Sequence, residues 1–137
     1  MDRLFLDANV LFSAAYRSDT ALLRLWKLKG VALCSSRYAL EEARGNLASE
    51  DQRTRLTRLS EAIQLFEAGA RALPRGISLP QKDVPVLLAA IEARATHLLT
   101  GDIRHFGPYF DKKIEGVAIT LPGEYFKIRA SAALRGH

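Results

Sequence analysis

Apolar residues arrive along this chain in short unbroken runs, separated by longer stretches in which they recur every three or four positions. Leu4-Phe5-Leu6 is continuous and too short for a helix, the pattern of a strand buried on both faces of a parallel sheet. Val10, Leu11, Ala14 and Ala15 follow at helical spacing, so the first strand turns at once into a short helix. Ser18 and Asp19 are placed to cap a second helix carrying Leu22, Leu23, Leu25, Trp26 and Leu28, closed by Gly30. Residues 31–34 read as a second strand. Ser35 and Ser36 open a third helix whose Leu40, Ala43 and Leu47 share a face. Ser49, Glu50 and Asp51 start a longer one, with Leu56, Leu59, Ile63 and Phe66 on its apolar side and an end near Gly69.

Residues 72–77 are assigned to a third strand interrupted by Pro74 and Gly76, and residues 79–82 to a loop. Asp83 stands at the N-cap position of a helix containing Val86, Leu87, Ala90 and Ile91, with Pro85 in its first turn. Residues 97–100 form a short apolar strand that ends in Gly101-Asp102. A loop or helical turn over 103–110, a final strand over 117–120, and a terminal helix from Pro122 that fades over 130–137 complete the pattern. Strands alternating with amphipathic helices predict an α/β fold: a central parallel sheet between helical layers, three layers in all, in a single domain spanning residues 1–137.

Composition narrows the functional classes. With 48% hydrophobic and 26% charged residues the chain is ordinary for a globular protein, and no apolar run approaches the roughly 20 residues that cross a bilayer. Acidic Asp2 stands where a signal peptide carries its basic region, so a cytoplasmic location is expected. Cys34 is the single cysteine, which excludes an intramolecular disulfide and a thiolate-rich zinc site. Twenty Lys and Arg against fifteen Asp and Glu give a net charge of +5, which favours polyanionic partners.

The candidate chemistry is acidic. Asp7 and Asp102 each follow a buried strand directly, the place where open α/β sheets put their ligands. Glu41 and Glu42 lie on the helix after the second strand and point about 100° apart. Asp83 begins the helix before the strand that leads to Asp102. Carboxylates gathered in one pocket disfavour each other's ionised form unless they share a cation. Oxygen ligands without a His or Cys cluster suit Mg²⁺ or Mn²⁺, and therefore phosphodiester or phosphoryl-transfer chemistry with one ion, or with two about 3.5–4 Å apart.

Leu6-Asp7-Ala8-Asn9-Val10-Leu11, Leu40-Glu41-Glu42-Ala43-Arg44, Lys82-Asp83-Val84-Pro85-Val86-Leu87 and Thr100-Gly101-Asp102 together resemble, in order and spacing, the motifs of the PIN domain, a family of small metal-dependent nucleases that includes VapC-type toxins. Pro122-Gly123-Glu124-Tyr125-Phe126 resembles the family's usual ending. The resemblance implies a PIN-like fold, metal ligation and catalysis by Asp7, Glu42, Asp83 and Asp102, and support from Asn9, Ser13 and Thr100. It further implies Mg²⁺ or Mn²⁺ as cofactor and RNA as a substrate cleaved by hydrolysis. A cognate antitoxin and a second copy of the chain are the implied protein partners, with the apolar helix around Trp26 a candidate contributor to the pairing.

Each feature also has a plainer reading. Asp83 alone is an N-cap, Glu41 and Glu42 a solvated helix face, and Asp102 simple turn chemistry. Arg104, Lys112 and Lys113 follow the Asp102 strand end and suit either an RNA backbone or ordinary solubility. His105 reads as a surface histidine, Arg53, Arg55 and Arg58 as a solvated face, and Phe106, Tyr109 and Phe110 as core. Two rival functions remain open at this level. One is a PIN-fold module that binds RNA or protein without turnover; the other is a phosphatase or phosphoacceptor with Asp7 as nucleophile, weakened by Asn9 and by the absence of a convincing downstream catalytic lysine.

Overall fold

The computed structural model describes residues 1–135. Four strands expected from apolar runs form as β1 (Asp2–Leu6), β2 (Val31–Ser35), β4 (His97–Leu99) and β6 (Val117–Thr120); β3 (Ile63–Leu65) and β5 (Lys113–Ile114) complete one sheet. Its order is β3-β2-β1-β4-β6-β5, parallel throughout except for β5, which runs antiparallel to β6.

Alternation along each strand divides the core in two. Leu4, Leu6, Leu33, Ile63 and Leu99 point to one face, where they pack with α1 (Ala8–Tyr16), α2 (Arg37–Asn46), α3 (Glu50–Ser60) and Tyr125 of α6 (Pro122–Arg135). Phe5, Cys34, Leu98 and Ile119 point to the other face, against α4 (Val84–Glu92) and Phe106 of the single-turn α5 (Ile103–Phe106). The result is the three-layer α/β architecture that the apolar runs predict. Leu4, Phe5 and Leu6 are fully buried, each side chain contributing about 1.5–3 kcal/mol of hydrophobic stabilisation.

Several expected elements differ. Helix α3 stops at Ser60, and Ile63, expected on its apolar face, instead pairs with Leu33 in β3. Leu56, Leu59, Ile63 and Phe66 keep a helical spacing across the break, which hides a strand of three residues from any periodicity argument. Residues 72–77 form no strand; Pro74 and Gly76, the latter at φ +85°, shape a turn.

The segment after α1 is a 3₁₀ helix, Ala21–Lys27, capped by Thr20 rather than by Ser18 or Asp19. Asp19 instead pairs with Arg17 in solvent. Trp26 donates its indole N–H to the Leu59 carbonyl at 3.0 Å and packs, half-buried, against the core. The terminal helix starts at Pro122 as expected; residues 136–137 of its expected fading end lie outside the described residues. Among the described residues no helix is long and apolar enough to cross a membrane.

Candidate active site

All parallel strands point their carboxyl ends the same way, and the acids collect there. Asp7 is the residue after β1 and the N-cap of α1, only 4% exposed. Its backbone N–H continues the ladder to the Leu99 carbonyl at 3.1 Å, which fixes the position of its side chain. Oδ1 accepts from the Ala8 N–H at 2.7 Å, and Oδ2 accepts from the Thr100 hydroxyl at 2.7 Å and Asn9 Nδ2 at 3.0 Å.

Thr100, fully buried at the end of β4, is the centre of this network. While its hydroxyl donates to Asp7, its oxygen accepts from Asn9 Nδ2 at 3.2 Å and from the Asp102 N–H at 3.1 Å. Asn9 Oδ1 in turn accepts from the Gly101 N–H at 2.8 Å. Two side chains, those of Thr100 and Asn9, together with the Ala8 N–H thereby hold one carboxylate, and Thr100 starts the turn that presents the next.

Asp102 caps α5, Oδ1 accepting from the His105 N–H at 3.1 Å, so the turn-chemistry reading and the site reading apply to the same side chain. Asp83 behaves otherwise. It occupies the N-cap position of α4 but makes no capping hydrogen bond with its side chain. Only 6% exposed, it leaves Oδ2 buried without a hydrogen-bond partner. The plain N-cap reading therefore does not account for it.

His105 is the main departure from sequence expectation. It is no surface histidine but half-buried between two acids, with Nδ1 2.8 Å from Asp102 Oδ2 and 3.0 Å from Asp83 Oδ2. One N–H serves one acceptor, and the bond goes to Asp102, which leaves Asp83 Oδ2 unserved despite its short approach. The sequence signal was the Asp-x-x-His spacing on a helical turn, readable only once α5 is known to be helical.

A cleft of about 530 Å³ is lined by Asp7, Asn9, Ser13, Glu42, Asp83 and Asp102, together with Phe12, Asn46 and Lys82; Thr100 and His105 stand behind its wall. Glu42 lines it and Glu41 does not; Asn46 lies one turn further along α2. Arg104, Lys112 and Lys113 are exposed and do not line it. Lys82, next to Asp83, is the cleft's cation. Its carbonyl accepts from the Tyr38 hydroxyl at 2.8 Å, a bond that ties α2 to the start of α4.

Electrostatically the cleft is short of positive charge. Burial raises the Asp7 carboxyl above its ordinary range, hydrogen bonds from Thr100 and Ala8 oppose this, and the charges of Asp83 and Glu42 push it further up. Burial likewise raises Asp83; Lys82 and His105 draw it down and Asp102 pushes it up.

The sequence profile of the PIN domain family matches residues 3–104, a span that runs from β1 through the Asp102 turn. The chain belongs to the PIN domain family. Among solved structures this PIN domain is similar to a chain in the crystal structure of VapBC2 from Rickettsia felis bound to a DNA fragment from their promoter. The two superpose with a TM-score of 0.64 at 16% identity, covering 85% of this chain and 96% of that one, a likeness of fold. No curated protein matches the sequence.

A divalent ion fits the residues present. The donors are carboxylate oxygens of a type hard cations take, two of the acids are pushed toward protonation by burial, and one buried oxygen lacks any partner.

Proposed function

We propose that this PIN domain is a divalent-metal-dependent endoribonuclease that hydrolyses RNA phosphodiester bonds, with Asp7, Glu42, Asp83 and Asp102 holding Mg²⁺ or Mn²⁺. The observation that carries the reading is the orphaned Asp83 oxygen inside an acidic cleft: a buried carboxylate without a donor costs stability that a bound cation returns. When bound, the ion supplies a Lewis acid that activates water and neutralises charge on the scissile phosphate. The chain's own residues do the positioning. Thr100 and Asn9 orient Asp7, the α5 turn orients Asp102, and Ser13 and Asn46 offer polar contacts along the cleft wall. Lys82 places a positive charge where a phosphodiester backbone enters.

The fold shared with a chain of the Rickettsia felis VapBC2 complex supports a further part of the reading, that the protein is the toxin of a toxin–antitoxin pair. Its partners are then RNA, a cognate antitoxin and a second copy of the chain. Cleavage of a mixed RNA pool with Mn²⁺, by wild type and by Asp7→Asn, tests the activity. The variant is expected to keep the wild-type circular dichroism spectrum and lose cleavage by at least about 100-fold, the scale on which removing a charge-stabilising group acts. Undiminished cleavage by Asp7→Asn overturns the site. RNA binding with no cleavage by wild type favours the non-catalytic binding module instead.

A further inference from the structure

His105 brings to the acid cluster what no carboxylate can, an imidazole nitrogen. One donor atom each from Asp83, Asp102 and His105 lie within 4.8 Å of one another. Nδ1 stands 3.0 Å from Asp83 Oδ2 and 2.8 Å from Asp102 Oδ2. Neighbouring ligands of an octahedral ion held at roughly 2.1 Å are about 3 Å apart, so both nitrogen–oxygen edges already have the spacing of a shared coordination sphere. The carboxylate oxygen that the imidazole N–H leaves unserved, Asp83 Oδ2, is also the buried one with no partner. Two acids around one ring nitrogen are incompletely satisfied by a proton and completely satisfied by a divalent cation. Asp7 and Glu42 lie outside this group of three but line the same cleft as Asp83 and Asp102, so His105 adds a nitrogen to the four-acid site rather than replacing any of its carboxylates.

We propose that His105 Nδ1 is itself a metal ligand, alongside Asp83 and Asp102, and that the resulting mixed nitrogen–oxygen set makes the site select Mn²⁺ over Mg²⁺. The inference rests on reading the cleft as a metal site. The tautomer carrying its proton on Nε2 presents the Nδ1 lone pair inward, so the imidazole binds as a neutral ligand. Mg²⁺ is hard, dehydrates reluctantly and is held through oxygen, whereas imidazole suits the first-row transition metals. An all-oxygen site has no such preference built into its donors.

The test is Mn²⁺ binding by the full chain, read by calorimetry with Mg²⁺ in competition and by electron spin-echo envelope modulation of the bound Mn²⁺. The wild-type spectrum is expected to show ¹⁴N coupling from a directly bound imidazole. In His105→Gln that coupling disappears, and Mn²⁺ affinity falls about tenfold or more, the usual effect of losing a metal-site group. Mg²⁺ affinity falls less. His105→Asn serves if the glutamine variant fails to fold. Mn²⁺ bound without nitrogen coupling, or coupling and affinity unchanged in the variant, overturns ligation by His105 and leaves the metal reading standing. No Mn²⁺ binding by wild type overturns both.

Discussion

One hydroxyl oxygen, that of Thr100, donates to Asp7 and accepts from Asn9 and from the Asp102 backbone. Thr100→Val keeps the shape and removes all three contacts, leaving buried polar groups unserved. It is expected to lower stability by about 1–3 kcal/mol and to weaken Mn²⁺ binding, measured by urea unfolding and calorimetry. Asp83 is predicted to behave in the opposite way. In chelator at pH 7, Asp83→Asn removes a desolvated charge whose Oδ2 accepts no hydrogen bond and is expected to be more stable than wild type by on the order of 1 kcal/mol, while losing metal-induced stabilisation. The sign of its pH dependence follows from the raised folded-state carboxyl. Between the ordinary value of 3.8 and that raised position, the folded protein binds more protons than the unfolded chain. The Asp83 contribution to stability therefore falls as pH rises through this window and stays low above it. The advantage of the variant accordingly shrinks as pH is lowered toward the ordinary carboxylate range. A variant less stable than wild type at every pH contradicts this account.

Elements differ in how openly the sequence announces them. β1, β2, β4 and β6 lie in the interior of the sheet, and burial on both faces writes them as apolar runs; those of β1 and β4 lead directly to acids, hence Asp7 and Asp102 were legible as strand-end carboxylates. The edge strands β3 and β5 have three residues and two, too few to display a period, and pairing with their neighbours determines them. The meeting of His105 with Asp83 was illegible for a different reason. Asp83 comes from the start of α4 and His105 from α5, after β4 has intervened, so no local spacing relates them. Central strands should also be the least tolerant. Leu98→Ala, at a fully buried β4 position against the α4 layer, is expected to cost about 2–5 kcal/mol in urea unfolding. Tyr38→Phe releases the Lys82 carbonyl at an exposed bond and is expected to cost under about 1 kcal/mol. Its larger effect falls on cleavage, through a loosened start of α4.

At the scale of the molecule, a net charge of +5 coexists with a cleft that gathers several of the fifteen acids, so the surface around it is more basic than the total suggests. RNA affinity of the Asp7→Asn variant, measured by fluorescence anisotropy, is expected to fall as salt rises, with a negative slope in the logarithmic plot. An affinity insensitive to salt rules out backbone contacts as its source. The bond between Asp7 and Thr100 joins residues 93 apart in sequence, and the carboxylate needed last, Asp102, stands at position 102 of 137. During translation, then, Asp7 leaves the ribosome long before Thr100 and Asp102, and a nascent chain cut short anywhere ahead of Thr100 holds Asp7 without the hydroxyl that orients it.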